Sequence, residues 1–167
     1  MNAPHVHDVA DAGTWPEAAE IDSISLDFDQ RHRRRLLLTT QGGREILLDL
    51  PRARRLRHGD GLMLADGIIR VAAADEDVMD IHAGPAGLIR IAWHLGNRHL
   101  AVQLREGAIR IRADHVIAEM VAGLGGHVHR LNAPFELQGG AYEAGGHGHH
   151  HHDDHDDDDH GHSHAAA

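Results

Sequence analysis

The sequence contains no cysteine, which excludes disulfides, thiolate metal sites and cysteine nucleophiles. It also contains no lysine, so all 16 positive side chains are arginine. Aromatic residues make up only 3%, which leaves few platforms for stacking bases. No apolar run approaches the ~20 residues that a membrane helix needs. The opening segment MNAPHVHDVADAGTWPEAAE has neither the basic nor the apolar stretch of a secretory signal. A cytoplasmic protein is expected. Arginines are densest from Arg31 to Arg57, where a nucleic acid or an acidic partner is one reading. With so few aromatics and a net charge of −10, solvated strand faces explain them better. Neither a nucleic-acid partner nor a membrane is expected.

What is abundant is histidine, 19 residues of 167. Residues 139–167 are almost pure Gly, His, Asp and Ala and cannot bury an apolar core. About 140 residues remain for folding, enough for one ordinary domain or two small ones. Two small ones would gain from docking on each other or on a partner chain. Removing the six aspartates of 146–164 from the net charge of −10 leaves −4 for the rest.

Residues 1–20 read as a disordered N-terminus. From Ile21 to Gly84 the pattern is short β-type runs broken by turn signals. ISLDF (24–28) alternates, RRRLLLTT (33–40) leads to Gln41-Gly42-Gly43, and REILLDL (44–50) stops at Pro51. LRHGDGLMLADG (56–67) carries two Asp-Gly turn signals, and IIRVAAADEDVMDIHA (68–83) reads as one or two further strands. A small β-rich domain over 21–84, a sandwich or barrel, is predicted.

Gly84-Pro85 marks the expected boundary. In AGLIRIAWHLGN (86–97), Leu88, Ile89, Ala92, Trp93 and Leu95 or Gly96 fall near one helix face. LAVQL (100–104) and AIRIR (108–112) flank a hairpin signal at Arg105-Glu106-Gly107. Asp114 caps a second helix with Val116, Ile117, Met120, Val121 and Leu124 on one stripe, and Gly125-Gly126 follow its end. HVHRLN (127–132) closes as a strand. With the strand before Ala86, the order is β-α-β-β-α-β, the ferredoxin-like split unit. The fold class is therefore α+β: an all-β domain, a ferredoxin-like domain assigned to 85–138, and a disordered His/Asp-rich tail over 139–167.

The tail carries the strongest chemistry. Segment 146–164 places nine histidines, His147, His149, His150, His151, His152, His155, His160, His162 and His164, among six aspartates. Imidazole suits Ni, Zn and Cu, and carboxylates can complete their shells. Many equivalent ligands on one tether raise each other's effective concentration, which favours carrying metal over catalysis. Purification tags are usually uninterrupted His runs, so the aspartates and glycines here argue against one. Four scattered methionines and no cysteine disfavour soft Cu(I) handling. Ni(II), Zn(II), Co(II) and Cu(II) all remain.

Elsewhere, histidines are ambiguous. His94 and His99 are five apart and on different helix faces, so they do not chelate as an i, i+4 pair would. One imidazole holds a transition metal tightly only if symmetry supplies a second copy. His115 lies beside the cap Asp114, where the two could hold a weak surface ion. His127 and His129 share one strand face, and solvent exposure is enough to explain them. His5, His7, His32, His58 and His82 read as structural or incidental.

Together these residues resemble the urease accessory protein E family, the nickel metallochaperones of urease maturation. The resemblance runs from about Ile21 to His164. Its most specific element is His94-Leu95-Gly96-Asn97-Arg98-His99, supported by LRHGDGLMLADG, by Asp114-His115-Val116 and by the His-rich end after GGAYEAGGHGHH. It implies a β-domain that binds peptides or partners and a ferredoxin-like domain that binds metal and forms a homodimer. It also implies that His99 meets its symmetry mate around one shared Ni(II), with tail histidines completing or feeding that site. The implied recipients are the urease GTPase accessory protein and the urease activation complex, which load the dinickel centre. Some members carry a further histidine at the position of Ala113, so His115 stands here without that neighbour. The folded part offers no HExxH, Gly-x-Ser-x-Gly or phosphate loop, so no enzyme is expected. The alternative is a nickel or zinc store without dedicated transfer.

Overall fold

The computed structural model describes residues 3–139. The predicted disordered tail therefore lies outside the described residues, apart from its first position. Among the described residues, eleven strands form three sheets that, with two α-helices, enclose two separate cores.

The first half is a sandwich. One sheet has the order β1-β5-β4, built from His5–Val6, Glu45–Asp49 and Arg35–Thr39. The other has the order β2-β6-β7-β3, built from Val9–Ala10, Gly61–Leu64, Gly67–Ala73 and Glu20–Leu26. Period-2 alternation sends Ile46 and Leu48 inward from one sheet, and Ile24, Leu26, Ile69 and Val71 inward from the other, into one shared core.

Two expectations change here. Residues 3–20 are not frayed. Val6 is fully buried, β1 pairs parallel with β5, and β2 pairs antiparallel with β6. Strands of two residues carry too little periodicity to be read from sequence. The Asp60-Gly61 signal is also not a turn. Asp60 is buried, accepts from the N–H groups of Ala12 and Arg57, and Gly61 opens β6. The reversal falls two residues earlier, at His58-Gly59, where Gly59 has φ +88, a conformation that glycine adopts without Cβ strain.

At Ala74 the chain changes sheets. Its N–H donates to the Leu26 carbonyl, and Asp75–His82 then forms β8 in the third sheet. The topological break thus lies at Ala74 rather than at Gly84-Pro85, because one apolar run supplies strands to both halves. The third sheet continues through α1 (Pro85–Gly96), β9 (Gln103–Arg105), β10 (Ala108–Arg112), α2 (His115–Gly123) and β11 (His127–Pro134). Its order β11-β8-β10-β9 is antiparallel throughout, the ferredoxin-like arrangement that two split β-α-β crossovers generate.

Helix α2 follows its predicted cap and core stripe except at Val116, which is predicted on the stripe and is exposed. The Asp114 carboxylate accepts from the N–H groups of Val116 and Ile117, which satisfies two orphan donors. Ile117 and Val121 are buried, and Met120 and Leu124 pack beside them. Helix α1 differs. Its core face is Leu88, Ile91 and Leu95, whereas Ile89 and Trp93, predicted on the buried stripe, are 73% and 65% exposed. The helix is apolar on more than one side, so the spacing alone fits two faces.

The halves meet at Arg31. This side chain, read as one of a solvated group, is fully buried. It donates to the Leu26 carbonyl, to the Phe135 carbonyl and to Glu136 at 2.7 Å, with Glu76 at 3.8 Å. Burial raises the Glu76 pKa above the usual 4.5, against the pull of the Phe28 N–H and Arg31.

Candidate metal centre

The residues His94–His99 end α1, and their local bonding explains the peculiar position of His99. Asn97 caps the helix, the Arg98 side chain donates to the His94 carbonyl at 3.1 Å, and the His99 N–H donates to Gly96. The Leu100 N–H reaches back to Leu95 at 3.3 Å. That pattern closes a helix through one left-handed residue, a place usually taken by glycine or asparagine. Here His99 takes it, with φ 54, and it is the one non-glycine at positive φ among the described residues. An imidazole held there at a conformational cost points to use of the side chain. His99 is exposed, and among the described residues its ring has no hydrogen-bond partner.

His94 is half-buried, with its ring edge-on to Trp93 at 5.0 Å between centroids. Trp93 and Ile89, one helical turn apart, present an uncovered apolar stripe that leads along α1 to the Gly96–His99 turn.

His115 opens α2 and is exposed. The Asp114 carboxylate beside it is committed to the helix cap through Oδ1. Leu100 and Asp114, chain neighbours of His99 and His115, line one groove of about 400 Å³ whose walls include Glu76 and Asp77. Among the described residues, no three His, Asp or Glu side chains are gathered as a metal site. The histidines from His147 to His164 lie outside the described residues.

The remaining histidines divide into two kinds. His7 Nδ1 lies 2.8 Å from the Asp49 carbonyl, His32 Nδ1 lies 2.6 Å from the Phe28 carbonyl, and His58 Nδ1 accepts from the Ala73 N–H. His5 approaches Asp49 at 4.0 Å. These four serve the sandwich. His82, His127 and His129 have no such bond among the described residues. Among the described residues, no helix is long and apolar enough to cross a membrane.

The arginines of the first half are mostly tied into ion pairs. Arg44 meets Asp66 at 2.7 Å, and Arg54 meets Asp11 at 2.7 Å and Asp60 at 3.4 Å. In the second half, Arg110 grips Asp80 through two bonds of 2.7 and 2.9 Å, which holds the Asp80 carboxyl below its ordinary range.

Comparison with known proteins adds family to geometry. Residues 3–74 match the model of the UreE urease accessory protein N-terminal domain, and residues 76–164 match that of the C-terminal domain. The urease accessory protein UreE of Bradyrhizobium sp. (strain ORS 278) is 55% identical over 135 residues, covering 80% of this chain and 64% of that protein. The UreE of Chelativorans sp. (strain BNC1) is 48% identical over 128 residues, covering 75% of this chain and 81% of that protein. The UreE of Ruegeria pomeroyi is 40% identical over 146 residues, covering 87% of this chain and 95% of that protein. Against the Bradyrhizobium and Rhodopseudomonas relatives the chain spans 60% to 65% of their length. Both matched segments divide where the chain changes sheets, and the chain belongs to the UreE urease accessory protein family.

Proposed function

We propose that this chain is a nickel metallochaperone, a non-enzymatic carrier that binds Ni(II) and delivers it for assembly of the dinickel site of urease. The observation that carries the reading is His99. It is an exposed imidazole in a left-handed backbone position, at the end of a helix whose outward face is apolar. A two-fold axis beside that face would cover Ile89 and Trp93 and bring two His99 rings together. The homodimer and the shared axial ion are thus one proposal. His115 is a peripheral ligand of modest strength, since the helix cap uses Oδ1 of its carboxylate neighbour and leaves only Oδ2. The tail histidines His147 to His164 gather the cargo and feed the axis, and imidazole chemistry would admit Zn(II), Cu(II) or Co(II) in vitro. The first domain docks the recipient machinery, the urease GTPase accessory protein and the activation complex, in the cytoplasm.

The test is a nickel titration of the full chain and of His99→Ala, with mass followed by light scattering. The dimer of wild type should bind one ion that His99→Ala lacks, while the tail load is unchanged. Equal stoichiometry and affinity in both would overturn the axial site. Transfer is tested by loading apo-urease: the nickel-bound chain should activate it faster than equal free nickel. No advantage over free metal would favour storage.

A further inference from the structure

The helix-free face of the third sheet carries three imidazoles that the axial site does not use. In the β8–β11 ladder His127 pairs with His82, and His129 pairs with Asp80. Residues directly opposite in an antiparallel ladder share a face, as do residues two apart on one strand. His82, His127 and His129 therefore stand on one side of the sheet, away from the helices that cover Met79 and Ile81. The rings of His82 and His127 lie 5.5 Å apart between centroids, at an interplanar angle of 20°.

This pairing is built rather than incidental. Gly125, at φ +79, ends the α2 turn, and Gly126 then passes where a Cβ would meet Ile91 and Val121 at 2.8 Å and the His82 carbonyl at 3.1 Å. With backbone so close to backbone, the next residue, His127, is set directly against His82. The three rings also differ from the other histidines of the fold. His7, His32 and His58 each have Nδ1 engaged by a backbone group. His82, His127 and His129 have no hydrogen-bond partner among the described residues, His127 and His129 are exposed and His82 is half-buried, so no ring nitrogen is already engaged.

We propose that His82 and His127 form a second divalent-cation site, a two-imidazole clamp on the helix-free face of the sheet, with His129 as the next available ligand. With metal–nitrogen bonds of about 2.0–2.1 Å, two rings sharing one ion stand about 5 Å apart, so ring rotation with little backbone movement makes the site. Asp80 does not compete, because both of its oxygens are held by Arg110. The Asp80–Arg110 pair is close to neutral, and Arg105 lies near enough to act on Asp80. Binding therefore rests on the ligand bonds, not on a negative field. Such a site takes a borderline ion such as Ni(II), Zn(II) or Cu(II), with water in the open positions. It is separate from His99. The two sites lie at opposite ends of α1, whose 12 residues span about 18 Å.

The test uses the full chain with 15N-labelled histidine, titrated with Zn(II) alone, so each ring nitrogen reports its own coordination. One nitrogen of His82 and one of His127 should shift together, with a single midpoint. In His127→Asn the His82 midpoint should move at least about tenfold higher, because the chelate is lost, while the His99 signal titrates as before. The proposal is overturned if the His82 and His127 signals stay still after the tail signals saturate, if they titrate separately, or if His127→Asn leaves the His82 midpoint unchanged. Because His99 is read in the same spectra, failure of the axial site and failure of this one are distinguishable.

Discussion

The two halves of this molecule treat their polar side chains in opposite ways. In the sandwich and at the joint, charge is turned inward and closed: Arg31, Asp60 and Thr40 are buried, and Arg54, Arg44 and three histidines are bonded to carboxylates or backbone. In the ferredoxin-like half, Asp80–Arg110 is the buried pair, and the imidazoles of His82, His99, His115, His127 and His129 are left open. A group that already has its partner stabilises the fold, and a group without one is available to an ion. The comparison separates substitutions that should cost stability from those that should cost metal.

The largest expected effect is at Arg31. Arg31→Met fills similar volume but leaves the Phe135 carbonyl without its donor, the Leu26 carbonyl with only the Ala74 N–H, and Glu76 and Glu136 without their Arg31 counter-ion. Breaking a buried pair costs about 3–5 kcal/mol, and Glu136 keeps enough water to put this case near the lower end. Urea unfolding should show that loss, while nickel bound per folded chain stays constant. Lost nickel at full folding would show that the joint also shapes the metal centre.

Next comes Asp80→Asn, which removes the charge facing a buried guanidinium and should cost about 2 kcal/mol near neutrality. The wild-type carboxyl titrates below its ordinary value of 3.8 because Arg110 hydrogen-bonds its charged form. A depressed folded-state pKa means stability that is present above the unfolded value and lost as pH falls through the folded one. The gap between wild type and Asp80→Asn should therefore be full at pH 7 and shrink below pH 3.8. A gap independent of pH would assign the loss to packing.

The same contrast decides what could be read in advance. The β-α-β-β-α-β order was legible because the period switches from 2 to 3.6 and back, and Asp114 was legible because a cap needs only its own next turn. The outward Ile89–Trp93 face was not, because Leu88, Ile89, Ile91, Trp93 and Leu95 fit more than one stripe until a sheet selects 88, 91 and 95. Arg31 was hidden in a run of arginines, and its burial depends on Phe135 and Glu136, more than a hundred residues away. The facing of His82 and His127 required a ladder register across 45 positions, which no local pattern carries. His99 carried a faint signal: a helix ending in Gly96-Asn97-Arg98 and then a histidine has no glycine at the left-handed position.

That last feature gives the smallest effect and the one of opposite sign. A side chain with a Cβ in left-handed backbone costs roughly 1–2 kcal/mol, toward the lower figure for histidine, which is enriched there. Glycine relieves the strain but loses more freedom on folding, about 0.5–1 kcal/mol. Metal-free His99→Gly should therefore unfold with a free energy equal to wild type or higher by up to about 1 kcal/mol, while His99→Ala, which keeps the Cβ, gains nothing. Both should lose the axial ion. A residue that stabilises the fold when removed is kept for another purpose. If His99→Gly is clearly destabilising in the absence of metal, the imidazole is a packing element, and the division between closed and open halves fails at its most informative residue.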